Sequence, residues 1–319
     1  MKATKSLKTR QDKLSKLGQY ADKVSDVASE SQNLGQLVDK LRDIPTLSVV
    51  VTRVMELVNN PRTSAPQMAE VLRRDQVLTA KVLRLVNSSF YNLSTEVTDV
   101  SKALAFLGFN TISVLVLGTS VFSSFDMKAA PYFNVMEFWK HSLAVAIAAE
   151  LLAKKLRLPK PEDAFTCGLL HDIGKIALFK VSQDDLKAVC DKANLEGKSF
   201  LEAETELGLP GHTVLGERLA ERWQLPVVIR KTIRYHHRDI EPLESIYANM
   251  KPTIMVVTLA NALVKKLKLG FSGDTSQPAY PMNYLKALNL NEAILAEVEV
   301  QMPTEMDRIQ GFLSASMSR

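Results

Sequence analysis

All five histidines of this 319-residue chain fall between residues 141 and 237. They are His141, His171, His212, His236 and His237, and His171 is followed directly by Asp172. This grouping constrains the fold more than any other feature. Neighbouring positions on a helix point about 100° apart, so His171 and Asp172 can share one site only inside a bundle whose other helices bring further side chains to it. The pair sits in Gly168-Leu-Leu-His171-Asp172-Ile-Gly174-Lys175, after the apolar run Phe165 to Leu170. That run reads as the buried face of the helix carrying both residues.

The rest of the chain supplies helices. Asp43-Ile-Pro45 precedes an apolar-rich helix at Val49 to Val58, which Asn59-Asn60-Pro61 ends. Ser64-Ala-Pro66 opens another through Leu72, and Asp75 caps Val77 to Val86. A helix starting at Asp99 or Ser101 runs to Leu107-Gly108, and Ile112 to Val121 follows Asn110-Thr111 as a buried helix. Further helices are expected at 135–152, 213–223, 227–235 and 253–267, with a loop at Gly270 to Tyr280 and a last helix from Asn289 or Asn291 to Val300. Neither Val114–Leu117 nor Ile254–Leu259 carries hairpin chemistry, so the chain reads as all-α. The expected divisions are a basic helical arm at 1–40, an N-terminal helical lobe at 41–126, a histidine-bearing lobe at 127–270 and a C-terminal loop and helix at 271–319. Asp126 to Asn134 is the expected linker.

Charge and cysteine content narrow the function classes. The formal net charge is +5, and residues 1–20 alone hold six basic residues against one acidic, leaving 34 of each sign elsewhere. The basicity therefore describes the arm and gives no basic face to the fold. No aromatic interleaving accompanies it, which argues against nucleic acid as a partner. Two cysteines, Cys167 and Cys190, make no disulfide framework and point to a reducing cytoplasm. No apolar run approaches the length of a membrane span.

Imidazole and carboxylate ligands at this density suit one or two divalent ions, with iron, manganese, zinc and nickel all open. Two ions sharing Asp172 would suit attack on a phosphorus centre. Trp139 and Trp223 read as core anchors, Cys167 as a buried small hydrophobe, and Asn87-Ser88 as helix-end caps. Lys175 has two readings, a helix-surface lysine or a cation facing phosphate.

The order His141, His171-Asp172, His212, His236-His237 resembles the HD phosphohydrolase superfamily. Pro45-Thr-Leu, the stretch Arg74-Asp75 to Asn87-Ser88, Ala103 to Gly108, Phe138-Trp139-Lys-His141 and Gly216 to Trp223-Gln-Leu-Pro226 resemble more narrowly its HDOD branch, the HD-related output domain of bacterial signalling proteins. The resemblance spans about residues 40 to 300. It implies an HD-like helical bundle with an N-terminal helical lobe, a mainly regulatory role, and a metal set of His141, His171, Asp172, His212, His236 and His237. It also implies catalytic roles for Asp172, between metals, and for Lys175, against phosphate charge. Catalytic members carry an aspartate where this chain has Asn261, a weaker neutral ligand. After His236-His237 the chain reads Arg238-Asp239-Ile-Glu-Pro, without the Gly-Tyr-Pro motif of cyclic-di-GMP phosphodiesterases.

Three functions are open on this basis: a signalling output with a metal centre and a protein partner, a metal-dependent phosphohydrolase acting on a nucleotide or other phosphoester, and a nucleic-acid binder using the arm. The N-terminal lobe is expected to pack across the mouth of the site and limit access.

Overall fold

The computed structural model describes residues 35, 37–58, 60, 62–88, 91, 93–124, 130–238 and 248–317. The arm up to residue 34 and the linker residues 125–129 lie outside them. Fourteen α-helices are present among the described residues, and the one β-contact is an isolated bridge between Ala130 and Phe133.

The first four are α1 (Val49–Val58), α2 (Ala65–Arg73), α3 (Gln76–Val86) and α4 (Val100–Ser124). Their starts follow local chemistry. Ser64 and Gln67 form a reciprocal capping box, and the Asp75 carboxylate accepts the Leu78 N–H at 2.9 Å. Gly108 interrupts α4 with φ 76° and ψ 171°, where the sequence places a helix end. By length and composition α4 could cross a membrane, contrary to the expectation that no run approaches a span, yet over half of that stretch is buried in the fold.

The second group is α5 (Val135–Lys155), α6 (Pro161–Leu170), α7 (Ile173–Val181), α8 (Gln183–Glu196), α9 (Phe200–Glu206), α10 (His212–Arg222), α11 (Val227–Tyr235) and α12 (Lys251–Lys266). Then come α13 (Met282–Ala287) and α14 (Glu292–Met317). Helix α5 is the hub, packed by α6, α12 and α14. Its stretch Ala144-Val-Ala-Ile-Ala-Ala149 is wholly buried, and its small side chains let α6 come close. The last helix extends beyond the expected end at Val300, through Pro303, which removes one backbone donor without ending it.

The two groups meet at several places, among them the segment before α1. The Arg222 guanidinium donates to Ile44 O at 2.7 Å and to Leu41 O, and the Trp223 indole donates to Pro45 O at 3.1 Å. These contacts lie at the C-terminal end of α10, while His212 is its first residue. An eleven-residue helix is about 16 Å long, so the entry segment docks a helix length away from the histidines.

Candidate metal centre

The apolar run from Phe165 to Phe179 is not one helix. It breaks at His171–Asp172, where His171 ends α6 and Asp172, at φ −101° and ψ 12°, precedes α7. The break resolves the 100° problem, because both side chains turn inward at a corner. His212 opens α10, His236 ends α11 with His237 next to it, and His141 lies within α5.

These six residues come together in two groups that share Asp172. The possible ligand atoms of Asp172, His212, His236 and His237 lie within 4.8 Å of one another, as do those of His141, His171 and Asp172. Asp172 Oδ1 stands 3.2 Å from His212 Nε2 and 3.4 Å from His236 Nε2, and Oδ2 stands 3.3 Å from His171 Nε2. All but His237 are buried.

The outer ring nitrogens define the inner ones. His171 Nδ1 meets Gly168 O at 2.7 Å, His236 Nδ1 meets Ile233 O at 3.0 Å, and His212 Nδ1 meets Glu204 Oε2 at 2.7 Å. Carbonyl and carboxylate oxygens only accept, so each Nδ1 carries a proton, and in the neutral ring each Nε2 turns a bare lone pair inward. None of these Nε2 atoms makes a hydrogen bond, nor do His141 Nε2 and Asp172 Oδ1. Bare nitrogens facing a carboxylate repel it unless a cation lies between. Protonation does not supply that cation at every ring. Burial and the neighbouring imidazole hold His141 down to about 3, and burial holds His236 down to about 4. At His212 burial pulls downward, but the carboxylates of Glu204 and Asp172 outweigh it and raise the ring. Burial pushes Asp172 upward, but Lys175 and the surrounding imidazoles hold its carboxyl well below the usual range. The donor set therefore fits a divalent metal ion.

Lys175 is no surface lysine. It is 2% exposed, and its ammonium donates to Asp172 Oδ2 at 2.8 Å and to Ser272 O at 2.9 Å, 4.6 Å from the Phe200 ring centroid. Asn261 is buried with its Oδ1 unpartnered, and it lines a cavity of about 520 Å³ together with His236 and His237. A second cavity, of about 260 Å³, touches His141, Ser272 and Asp274.

The expected cover by the N-terminal lobe is not what the structure shows. No described residue of 41–124 lines either cavity; both are bordered by the loop between α12 and α13. That loop is stitched down. Phe271 N–H donates to Glu137 O at 3.0 Å, and Asn194 donates to Gly273 O at 3.1 Å. Lys265 donates to both oxygens of Asp274 at 2.7 and 2.8 Å.

Glu204 is the residue that sequence reasoning missed. Its neighbours Glu202 and Glu206 face outward, onto Ser199 and onto Lys192 and Lys198. Glu204 instead shares the buried stripe of Phe200 and Ala203, and that register was the available signal.

Comparisons with known proteins agree with this architecture. An uncharacterised protein of Treponema pallidum is 23% identical over 281 residues, 86% of this chain and 50% of that protein. Ribonuclease Y of Mycoplasma genitalium is 27% identical over 167 residues, 52% of this chain and 28% of that protein. The chain thus spans half or less of the length of these curated relatives. Among solved structures, an HDOD domain protein of unknown function from Geobacter sulfurreducens superposes with a TM-score of 0.71 at 24% identity, covering 88% of this chain and 99% of that one. A candidate signal transduction protein from Marinobacter aquaeolei gives 0.73 at 20% identity, over 91% and 66%. A candidate phosphohydrolase from Shewanella amazonensis gives 0.65 at 24% identity, over 87% and 98%. At these identities the structures speak for the fold. The family model of the HDOD domain matches residues 44–239, well over half of the chain, and the protein belongs to the HDOD domain family.

Proposed function

We propose that the protein is a regulatory output module of bacterial signal transduction, cytoplasmic, organised around a centre for one or two divalent ions. The observation that carries this is the set of inward-facing, unpartnered Nε2 atoms around Asp172. His141, His171, Asp172, His212, His236 and His237 would hold the metal, which when bound would supply Lewis acidity toward a phosphoester oxygen. The described fold around the centre supports regulation, since Lys175 is engaged by Asp172 and by the loop carbonyl of Ser272. The HDOD and signal-transduction neighbours support it as well. Its partner in this reading is another signalling protein.

A second reading, hydrolysis of a nucleotide or other phosphoester, is favoured by one feature, the two donor groups meeting at Asp172. In that reading Asp172 and Lys175 are the catalytic residues, and the cavity beside His236 and His237 admits the substrate.

Elemental analysis of the protein purified without added metal tests the first reading. Assays on a generic phosphodiester with Mn²⁺ or Fe²⁺ test the second. Metal content near one or two ions per chain, lost in Asp172→Ala, is expected. A metal-free protein that takes up none on incubation refutes the metal centre. Turnover abolished by Asp172→Ala establishes the hydrolytic reading, and no turnover by the metal-loaded protein removes it.

A further inference from the structure

We propose that the two ion positions sharing Asp172 are strongly unequal, and that Glu204, as a positioning residue behind His212, makes them so. The tight position is the one formed by Asp172, His212, His236 and His237. The position formed by His141, His171 and Asp172 is weak. This rests on reading the cluster as a metal centre.

The two oxygens of Asp172 are not equivalent. Oδ1, facing His212 and His236, makes no hydrogen bond. Oδ2, facing His171, is already held by the Lys175 ammonium at 2.8 Å. An ion on the His171 side must compete with a buried cation for its only carboxylate oxygen, whereas an ion on the His212 side meets a bare one. The number of imidazole and carboxylate ligands among the described residues points the same way, with four side chains against three.

Charge balance adds to this. Among the described residues, the carboxyl and amino side chains buried around the centre are Asp172, Glu204 and Asp274 against Lys175 and Lys265. With the imidazoles neutral, as an incoming ion requires of its ligands, three carboxylates against two ammoniums leave one negative charge. Lys175 is matched by Asp172, and Lys265 by both oxygens of Asp274, so the unmatched carboxylate is Glu204. It is fully buried, accepting the His212 backbone N–H at 2.7 Å and facing the His212 ring at 2.7 Å. One dication turns the buried net charge from −1 to +1, and a second raises it to +3 where little water can screen it. Glu204 thus does two things for the first ion. It fixes the His212 ring with Nε2 inward, and it supplies the charge that makes a dication welcome there.

Calorimetric titration of the metal-free protein with Zn²⁺, and of the same protein with Co²⁺ followed by visible absorption, tests this. Two steps are expected, the second weaker than the first by about 100-fold or more. Glu204→Gln keeps the shape and removes the charge. Outer carboxylates of this kind are worth roughly 10–100-fold in metal affinity, so the first step should weaken by that factor. The Co²⁺ bands of the first step should shift, and Glu204→Asp should recover part of the loss. Lys175→Met frees Oδ2 and should strengthen the second step. Circular dichroism of the metal-free variants checks their folding, and should Glu204→Gln not fold, the wild-type and Lys175→Met titrations decide. Two wild-type steps of equal affinity, or a folded Glu204→Gln with an unchanged first step, overturn the proposal and leave the metal centre standing. No binding of either ion overturns both.

Discussion

Replacing Gly174 by alanine tests how the centre is assembled. Helices α7 and α10 cross backbone to backbone at Gly174 and Gly216. A Cβ built on Gly174 would stand 1.8 Å from His212 O and 2.8 Å from Gly216 N. Real Cβ atoms essentially never approach below 3.0 Å, so the His212 carbonyl must retreat by about 1.2 Å. The obstacle is backbone, so no side-chain rotation relieves it. His212 Nε2 lies 3.2 Å from Asp172 Oδ1, and a retreat of that size spoils a site whose ligands must hold to within about 0.5 Å. Overpacking of this sort costs about 1–3 kcal/mol, and a backbone clash belongs at the upper end. For 319 residues at about 2.1 cal/mol/K of unfolding entropy each, about 3 kcal/mol corresponds to roughly 4–5 °C in Tm. Thermal melts followed by circular dichroism, with divalent-ion titration of the same samples, measure both effects. Gly211→Ala is the control, since its φ of −56° suits any residue and a Cβ there meets nothing nearer than 3.4 Å. A Gly174→Ala protein with Tm and metal affinity unchanged while folded would refute the idea that this crossing sets the Asp172–His212 geometry.

Further outcomes follow from buried groups elsewhere. Burial pushes Cys167 and Cys190 up to about 12, so at pH 8 only on the order of one thiol in 10⁴ is ionised, and a disulfide reagent should label both slowly in the native protein and rapidly in urea. Since the unfolded thiols ionise near 9, their contribution to stability is complete below that pH and is lost from pH 9 toward 12, at up to about 1.4 kcal/mol per pH unit per thiol. Urea titrations at stepped alkaline pH should show that decline, and a flat profile would count against it. Asp274→Ala takes the charged partner from the Lys265 ammonium, whose side chain is 9% exposed and keeps the Ser276 hydroxyl at 3.2 Å, and should cost about 3–5 kcal/mol in urea unfolding; a loss below about 1 kcal/mol would mean that Ser276 or water compensates. Trp223→Phe removes the donor to Pro45 O and should cost about 1 kcal/mol, and no change would show that bond to be dispensable to the lobe junction.

Much of the fold is legible because helix ends are written in local chemistry. Ser64 with Gln67, and Asp75, announce their helices whatever the rest of the chain does. The candidate ligand set is legible because histidine is scarce here and confined to one region. What escapes depends on tertiary position. Nothing in the apolar run Phe165 to Phe179 marks a corner at His171–Asp172; the demand that both side chains point inward breaks it. Periodicity does not bring out α8, whose first turn is acidic and whose outer face is polar, nor the short α13. Lys175 sits in an ambiguous slot until the Ser272 carbonyl, 97 positions away in sequence, is seen to accept from it. Glu204 hides between two acidic neighbours that are surface residues. The cover of the site is misplaced for a similar reason: Gly270 to Tyr280 reads correctly as a loop, but its destination is set by Gly270, whose built Cβ would stand 2.3 Å from His141 N, a contact between distant parts of the chain.

The loop has a consequence for how the protein is made. The groups that fasten its stretch Phe271 to Asp274 all precede it: Glu137, Lys175, Asn194 and Lys265. At about 5–20 residues per second, a ribosome completes residue 281 roughly 5–20 s after Asp172, because about a hundred residues separate them. All six candidate ligands are synthesised before the loop that closes over them. Any ion taken up by the nascent chain before that point would enter a centre still lacking the Ser272 carbonyl that holds Lys175.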